Sequence, residues 1–563
     1  MSSSNAQSQF NSSIKFIDCF YCLFTADFST GGNWFLRNKI PKGQSYLELK
    51  IGITDNNPQW LLVLKQIGVI FEVINPDTVI DPKKYAVVIV CSKHNHQSQE
   101  VMDFLNGGGS ILTEANTARA IFNVPTKKIT IKYLQPENSL PFEQIPICDL
   151  QIKSEIAVNS SYLRNQDGID TVCINKSQSG NLIILPSGFT DVLKSYKIKR
   201  KNFQPQGGRD YPSERISAIT KGAIRRIIEK AIQYLFHERK LPFVHLWNFP
   251  DGKTNIFCFR IDTDFALQDE VINLYELCKK REIPATWFVE TKTKENWINL
   301  FGTLENQEIS YHCYRHRIFK DYNSNYNDFT KGLSILKKAD IKPIGYAAPY
   351  GEWTPILGNV IQDLGFEYSS EFGLSYDDLP FQPIINNSAS AVYQIPIHPV
   401  SIRKLIITKH NEEQILQYYM KRVDEKIILG DPIIFYHHPS HKHLNIFSKI
   451  FKNIHEENIP VITMGDYSSW WRKRSEFNWE ANYINNQLHV KSKLVDTSMW
   501  IKIDYPDGKE SLKPVNSEKL FNYEQSHVKI KENLFDYNSH DLRKYNWQIL
   551  LNDCISFYGK LRQ

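Results

Sequence analysis

Two aspartates and two histidines, in short segments some 50 residues apart, carry the residue types of a metal hydrolase. Asp262 and Asp264 sit in Arg-Ile-Asp-Thr-Asp, at the end of an apolar run. His312 and His316 sit in Ser-Tyr-His-Cys-Tyr-Arg-His, at the end of another. One carboxylate and two imidazoles form a facial ligand set that leaves positions on a divalent ion open for water and substrate. A second carboxylate beside that water is what a hydrolase needs as general base. Neither fragment is specific alone. Their joint placement, each at a strand end inside a β/α pattern, carries the reading.

Strand alternation adds two residues. On the first run Phe257, Phe259 and Ile261 share one face, while Cys258, Arg260 and Asp262 share the other and point into a barrel. A buried, unpaired charge costs several kcal/mol, so Arg260 and Asp262 are expected to pair, with Arg260 keeping Asp262 ionised. In Ile433-Ile-Phe-Tyr-His-His-Pro-Ser-His the set Ile433, Phe435 and His437, apolar at its start, suits the helix side. Tyr436 and His438 then face inward, which makes His438 the better candidate for a general acid. His441 and His443 read as loop surface. His398, in Pro-Ile-His-Pro, reads either as a residue of the site's mouth or as a structural loop histidine.

These residues need strands to hold them. Strand-like runs sit at Asn255–Asp262, Ala285–Glu290, Ile309–His312, Pro343–Ala347, Val392–Ile397, Pro432–His438 and Pro460–Met464. Helical patterns lie between most of them, including Leu267–Arg281, Phe329–Lys338 and Leu444–Glu456. This alternation predicts a closed or nearly closed parallel (β/α)7-type barrel over 241–475, with its chemistry at the strand C-terminal ends. Upstream, 46–240 alternates strands such as Tyr85–Cys91 with helices such as Pro58–Gly68 and predicts an open, doubly wound sheet. Cys91 ends a strand but lacks the Gly-x-Cys-x-Gly elbow of a nucleophile, so this unit has no active site of its own. Residues 476–563 read as a small β-rich module finished by a helix near Trp547–Tyr558, and 1–45 as an N-terminal extension. The fold class is α/β.

Composition bounds the function. A chain of 563 residues suits about two to four domains. Its 42% hydrophobic and 13% aromatic content supports large cores and excludes a disordered chain. A net charge of +6 is mild at this size and gives no reason to expect nucleic acid. The densest basic run, Lys194 to Lys201, reads as a solvated loop, or as a binding edge for an anionic substrate such as a sugar linked to phosphate. The 9 cysteines are scattered and read as free thiols of a reducing compartment. No window reaches the roughly 20 apolar residues needed to span a bilayer, and the polar start lacks a basic signal region. A cytoplasmic protein is expected.

The barrel segment resembles the polysaccharide deacetylases of the NodB-homology type, carbohydrate esterase family 4, over roughly 250–470. Arg-Ile-Asp262-Thr-Asp264 is similar to that family's Thr-Phe-Asp-Asp motif with one residue inserted. His312-Cys-Tyr-Arg-His316 matches its His-x-x-x-His, and Ile283-Pro-Ala-Thr-Trp-Phe-Val289 resembles its second strand. Ala347-Ala-Pro-Tyr350-Gly resembles Arg-x-Pro-Tyr, with Ala347 in place of the family arginine. Phe435-Tyr-His-His438-Pro resembles the last motif. The resemblance implies a metal held by Asp264, His312 and His316, zinc by default, with cobalt, nickel or iron allowed by the ligands. It implies Asp262 as base, His438 as acid and the Tyr350 backbone N–H as an oxyanion donor. Strand alternation, not the resemblance, offers Arg260 in place of the missing arginine. The implied reaction removes acetyl groups, N-acetyl before O-acetyl, from a carbohydrate. The alternatives are a non-catalytic glycan-binding scaffold and a hydrolase of a cyclic amide or imide. The upstream unit resembles class I glutamine amidotransferase-like, flavodoxin-like domains in fold only.

Overall fold

The computed structural model describes residues 46–515 except 77, 92–97, 136–139, 177–179, 206 and 208–209, together with 519–521, 527–528 and 551. The expected N-terminal extension lies outside the described residues. So does the expected C-terminal helix, but for Leu551. From Leu47 onward the chain forms one unit.

The upstream sheet has nine strands. Five are parallel: Phe71–Val73, Ile51–Ile53, Val87–Val90, Ser110–Glu114 and Asn181–Leu185, in that spatial order. Val87-Val-Ile-Val90 explains why the sheet is covered on both faces. Val87 and Ile89 pack with Ile224, Ile227 and Ile228 of the helix Lys221–Glu238. Val88 and Val90 pack with Val101 and Phe104 of the helix Ser98–Asn106 and Ala118 of Ala115–Phe122. A strand apolar on both sides is stable only between two helix layers. The doubly wound part is not the whole sheet. Between Ser110–Glu114 and Asn181–Leu185 the chain makes four antiparallel strands that extend the sheet edge.

The second sheet contains seven parallel strands, labelled here β1 (Phe257–Asp262), β2 (Ala285–Glu290), β3 (Glu308–Cys313), β4 (Gly345–Tyr346), β5 (Tyr368–Ser369), β6 (Tyr393–Gln394) and β7 (Ile433–His437). Their spatial order is β6-β5-β4-β3-β2-β1-β7. Alternation along β1 works as the residue types require. Phe257, Phe259 and Ile261 enter the apolar layer with Phe447 and Phe451 of the helix Leu444–Glu456. Each such side chain contributes about 1.5–3 kcal/mol by burial. Cys258, Arg260 and Asp262 take the concave side.

One expectation about this sheet is corrected. Pro460–Met464 is not a strand. Val461 makes one bridge to Phe257, and Thr463 with Asp466 then forms a capping box that starts the helix Met464–Glu476. The seventh strand is instead β5, two residues long and too short for a periodic signal. The sheet is curled but open. The chain just past β6 reaches β7 through the His398 N–H, which donates to the Ile434 carbonyl at 3.0 Å.

The C-terminal segment forms antiparallel hairpins, Trp479–Ile484 with Gln487–Ser492 and Trp500–Asp504 with Lys509–Pro514. Trp500–Asp504 also pairs with Phe243–Leu246, so this segment is joined by a ladder to the stretch that leads into the barrel. Arg474, 1% exposed, binds the carbonyls of Trp247 at 2.7 Å, Leu246 at 2.8 Å and Ile67 at 3.0 Å. One guanidinium thus ties the barrel's last helix to the upstream unit.

Candidate metal centre

The concave ends of β1, β3 and β7 converge on Asp264. His312 Nε2 lies 3.6 Å from its Oδ1, and His316 Nε2 lies 3.6 Å from its Oδ2. His438 Nε2 lies 3.3 Å from Oδ1, in an orientation that makes no hydrogen bond. The donor atoms of Asp264, His312 and His316 all fall within 4.8 Å of one another, as do those of Asp262, Asp264 and His438.

Backbone geometry fixes one imidazole. His312 Nδ1 is 2.6 Å from the Ala347 carbonyl. A carbonyl can only accept, so Nδ1 carries the proton. Its Nε2 is left bare, buried and without a hydrogen-bond partner, as is Asp264 Oδ1. A buried carboxylate oxygen and a buried lone pair facing each other without a proton between them fit a cation. The residues therefore suit a divalent metal.

Charge reinforces this. Burial raises the Asp264 carboxyl, but the imidazoles around it, His438 foremost, outweigh it and hold the group far below the usual carboxylate range. Burial pulls the His316 imidazole down to about 4. That is the neutral form a metal ligand requires.

Asp262 sits beside this set. Arg260 Nε reaches its Oδ1 at 2.7 Å and Arg260 Nη2 its Oδ2 at 2.8 Å. Such a two-pronged guanidinium–carboxylate pair is among the stronger charge-assisted contacts. Burial raises the Asp262 carboxyl, but Arg260, with the neighbouring His438, outweighs it, so the net shift is downward. Arg260 Nη1 donates to the Ser370 carbonyl at 2.6 Å and its hydroxyl at 3.1 Å, which locks the guanidinium in place.

Burial disfavours the charged form of His438, but Asp264 outweighs it and raises its pKa. His437 points the other way. Its ring packs on Phe447 at 4.7 Å, and its Nε2 donates to the Lys442 carbonyl at 3.1 Å. Tyr350 lies at the cavity edge with a left-handed φ of 59°. Its ring meets that of His316 edge-on at 4.5 Å. Gly351 also has positive φ, where glycine alone is unstrained. A Cβ there would lie 2.5 Å from Phe372.

Three features escaped the sequence reading. His441 is not loop surface: its ring lies 4.4 Å from that of His438, and it lines the same cavity. The cause is the tight 3-10 turn Pro439–His441 after β7, in which residues three apart eclipse, a pattern legible in His-Pro-Ser-His. Glu371 is fully buried and accepts from the Ala348 N–H at 3.2 Å, two residues before Tyr350. Burial pushes its carboxyl up to about 7. The second half of the basic run is a strand, not a loop. Ile198–Asn202 pairs with Ser213–Ser217, and this hairpin forms part of the cavity wall. His398 stays out of the site, bound to Asp377 at 3.1 Å and Tyr418 at 3.0 Å. The cavity over the cluster measures about 760 Å³.

The polysaccharide deacetylase family model matches residues 249–369, which run from just before β1 through β5. That stretch contains Asp262, Asp264, His312, His316 and Tyr350, while His438 lies beyond it. Among solved structures the chain is similar to a Mycobacterium smegmatis protein assigned as a polysaccharide deacetylase, at 18% identity over 40% of this chain and 93% of that one, with a TM-score of 0.33. It is similar to the peptidoglycan deacetylase PdaC of Bacillus subtilis at 14% identity, over 40% of this chain and 95% of that one, with a TM-score of 0.30. It is also similar to a carbohydrate esterase family 4 pseudoenzyme of Bacillus anthracis at 13% identity, over 50% and 94% of the two chains, with a TM-score of 0.29. No curated protein matched the chain. Among the described residues no helix is long and apolar enough to cross a membrane, and the six cysteines Cys91, Cys148, Cys173, Cys258, Cys278 and Cys313 are free thiols. Cys19, Cys22 and Cys554 lie outside the described residues.

Proposed function

We propose that this chain is a metal-dependent hydrolase that removes acetyl groups, N-acetyl before O-acetyl, from a carbohydrate. One observation carries the reading. Asp264 and His312 bring bare, buried donor atoms together with the half-buried His316, beside Asp262, which Arg260 holds as a carboxylate. A divalent ion held by those three residues, zinc by default, would polarise the acyl carbonyl and acidify a water.

The chain's own groups do the rest. Asp262 accepts the proton of the attacking water, and its low pKa keeps it ready to do so at neutral pH. The Tyr350 backbone N–H stabilises the oxyanion. His438, charged beside Asp264, gives its proton to the departing amine. Arg260 stands in for the guanidinium missing at Ala347. It reaches Asp262 from the same strand, two residues away.

The neighbouring segments are accessory in this reading. Residues 46–240 supply a flavodoxin-like unit without a nucleophile, since burial raises the Cys91 thiol well above its usual value. Residues 241–475 supply the barrel and 476–563 the β-rich module.

Elemental analysis of the purified chain, followed by acetate release from a panel of acetylated glycans, tests the reading. Stoichiometric metal with acetate release supports it. Stoichiometric metal with glycan binding and no release from any compound would instead favour the glycan-binding scaffold.

A further inference from the structure

The upstream hairpin does more than cover the barrel. Lys201 anchors it to Asp149 at 2.8 Å, and the Ser217 N–H binds the Phe372 carbonyl at 3.0 Å. Lys404, on the helix Ile402–Ile407, pairs with Glu214 of the hairpin at 3.0 Å. That pair stitches the helix to the strand. Arg215 follows Glu214 and Arg403 precedes Lys404, so the two arginines come from adjoining elements of one wall. Both are exposed on the cavity that ends at Asp264, and neither is in an ion pair among the described residues. Above the metal cluster the wall carries Arg200, Arg215, Arg403 and Lys404 against the carboxylates of Glu214 and Glu352. Glu214 is already engaged by Lys404. Arg200 donates to the Ser213 hydroxyl at 2.9 Å, which holds its head at the wall.

We propose that Arg215 and Arg403 form an anion subsite that selects a glycan bearing a carboxylate or phosphate group. The inference rests on the reading of this cavity as a glycan site. The planar guanidinium fork suits both anions, since each offers paired oxygens. The subsite is built largely from residues outside the 249–369 stretch that matches the deacetylase family, so substrate choice lies with the chain's own hairpin and helix.

Calorimetry on the full, zinc-loaded chain tests this, with N-acetylchitotetraose, its 6-carboxylated form and its 6-phosphorylated form as probes. At least one anionic form should bind about tenfold tighter than the neutral one, as two charge-assisted contacts at a wet rim allow. The preference should shrink between 50 and 300 mM salt, on the order of the change in Debye length. Arg215→Gln with Arg403→Gln should bring the ratio of dissociation constants close to one, while Arg215→Lys with Arg403→Lys should keep most of it. Unchanged melting temperatures exclude a folding defect. Equal affinity for all three probes, binding of none, or a preference that survives the double glutamine variant overturns the subsite. Acetate release is followed in parallel. A retained anion preference without release from any probe overturns the deacetylase reading and leaves the subsite standing.

Discussion

Arg260 and Asp262, two residues apart on one strand, face each other through both guanidinium prongs, at 2.7 and 2.8 Å. Both are buried, Arg260 at 0% and Asp262 at 3% exposure. Burying either charge alone would cost several kcal/mol, so the pair survives only because each neutralises the other. The same contact that makes the burial tolerable also holds Asp262 as a carboxylate beside the candidate metal ligands.

Replacing Arg260 with Met should therefore leave burial as the dominant influence on Asp262 and raise its pKa. A base must be ionised to act, so the acidic limb of the pH dependence of kcat/KM moves to higher pH, and the rate at neutral pH falls. An acidic limb that stays in place in Arg260→Met would reject Asp262 as the titrating base.

His312→Ala and His316→Ala should each lose bound divalent metal, because two ligands hold far less tightly than three. Asp262→Asn should keep the metal and lose turnover by about 10²–10⁴-fold, the usual contribution of a general base. Elemental analysis and acetate release on the same preparations separate these roles. If Asp262→Asn loses the metal and Asp264→Asn keeps it, the two aspartates exchange places in the mechanism.

Glu371 links stability to pH. Its folded pKa is raised to about 7 from an ordinary 4.5 by burial. The folded state thus binds a proton more readily than the unfolded one. Its contribution is fully present below pH 4.5 and is lost as pH rises through about 7. Glu371→Gln removes this dependence. Between pH 5 and 8 the wild type should lose roughly 2–3 kcal/mol relative to Glu371→Gln in denaturant midpoints, the free-energy equivalent of that shift. Parallel pH profiles for the two proteins would show that Glu371 does not titrate in this window.

Arg474→Met should destabilise the chain by about 3 kcal/mol or more, since the carbonyls of Ile67, Leu246 and Trp247 each lose a charged donor at once. Thermal unfolding measures it. A change below about 0.5 kcal/mol, the scale of a neutral surface substitution, would mean those carbonyls find other donors.

Local pairings at this site follow from chain order alone. A strand places alternate residues on one face, so Arg260 had to lie beside Asp262, and His438 had to oppose His437. The four-residue spacing of His312 and His316 likewise confines them to one short stretch of chain, and both reach Asp264. The two-sided apolar run at Val87–Val90 required helices on both faces, and they are there. Other features had no local signal. β5 is two residues long, and two residues show no period. Pro460–Met464 has a strand's composition, but it ends in a helix cap because Thr463 can bond Asp466. The antiparallel extension of the upstream sheet, the burial of Glu371 and the arginines on the cavity wall depend on segments far apart in the chain. Lys201 meets Asp149 only once the upstream unit has folded, and Glu214 meets Lys404 only after the upstream and barrel segments have packed. Residue type sets what a side chain can do, while its pKa and its partners come from neighbours that only the tertiary packing supplies.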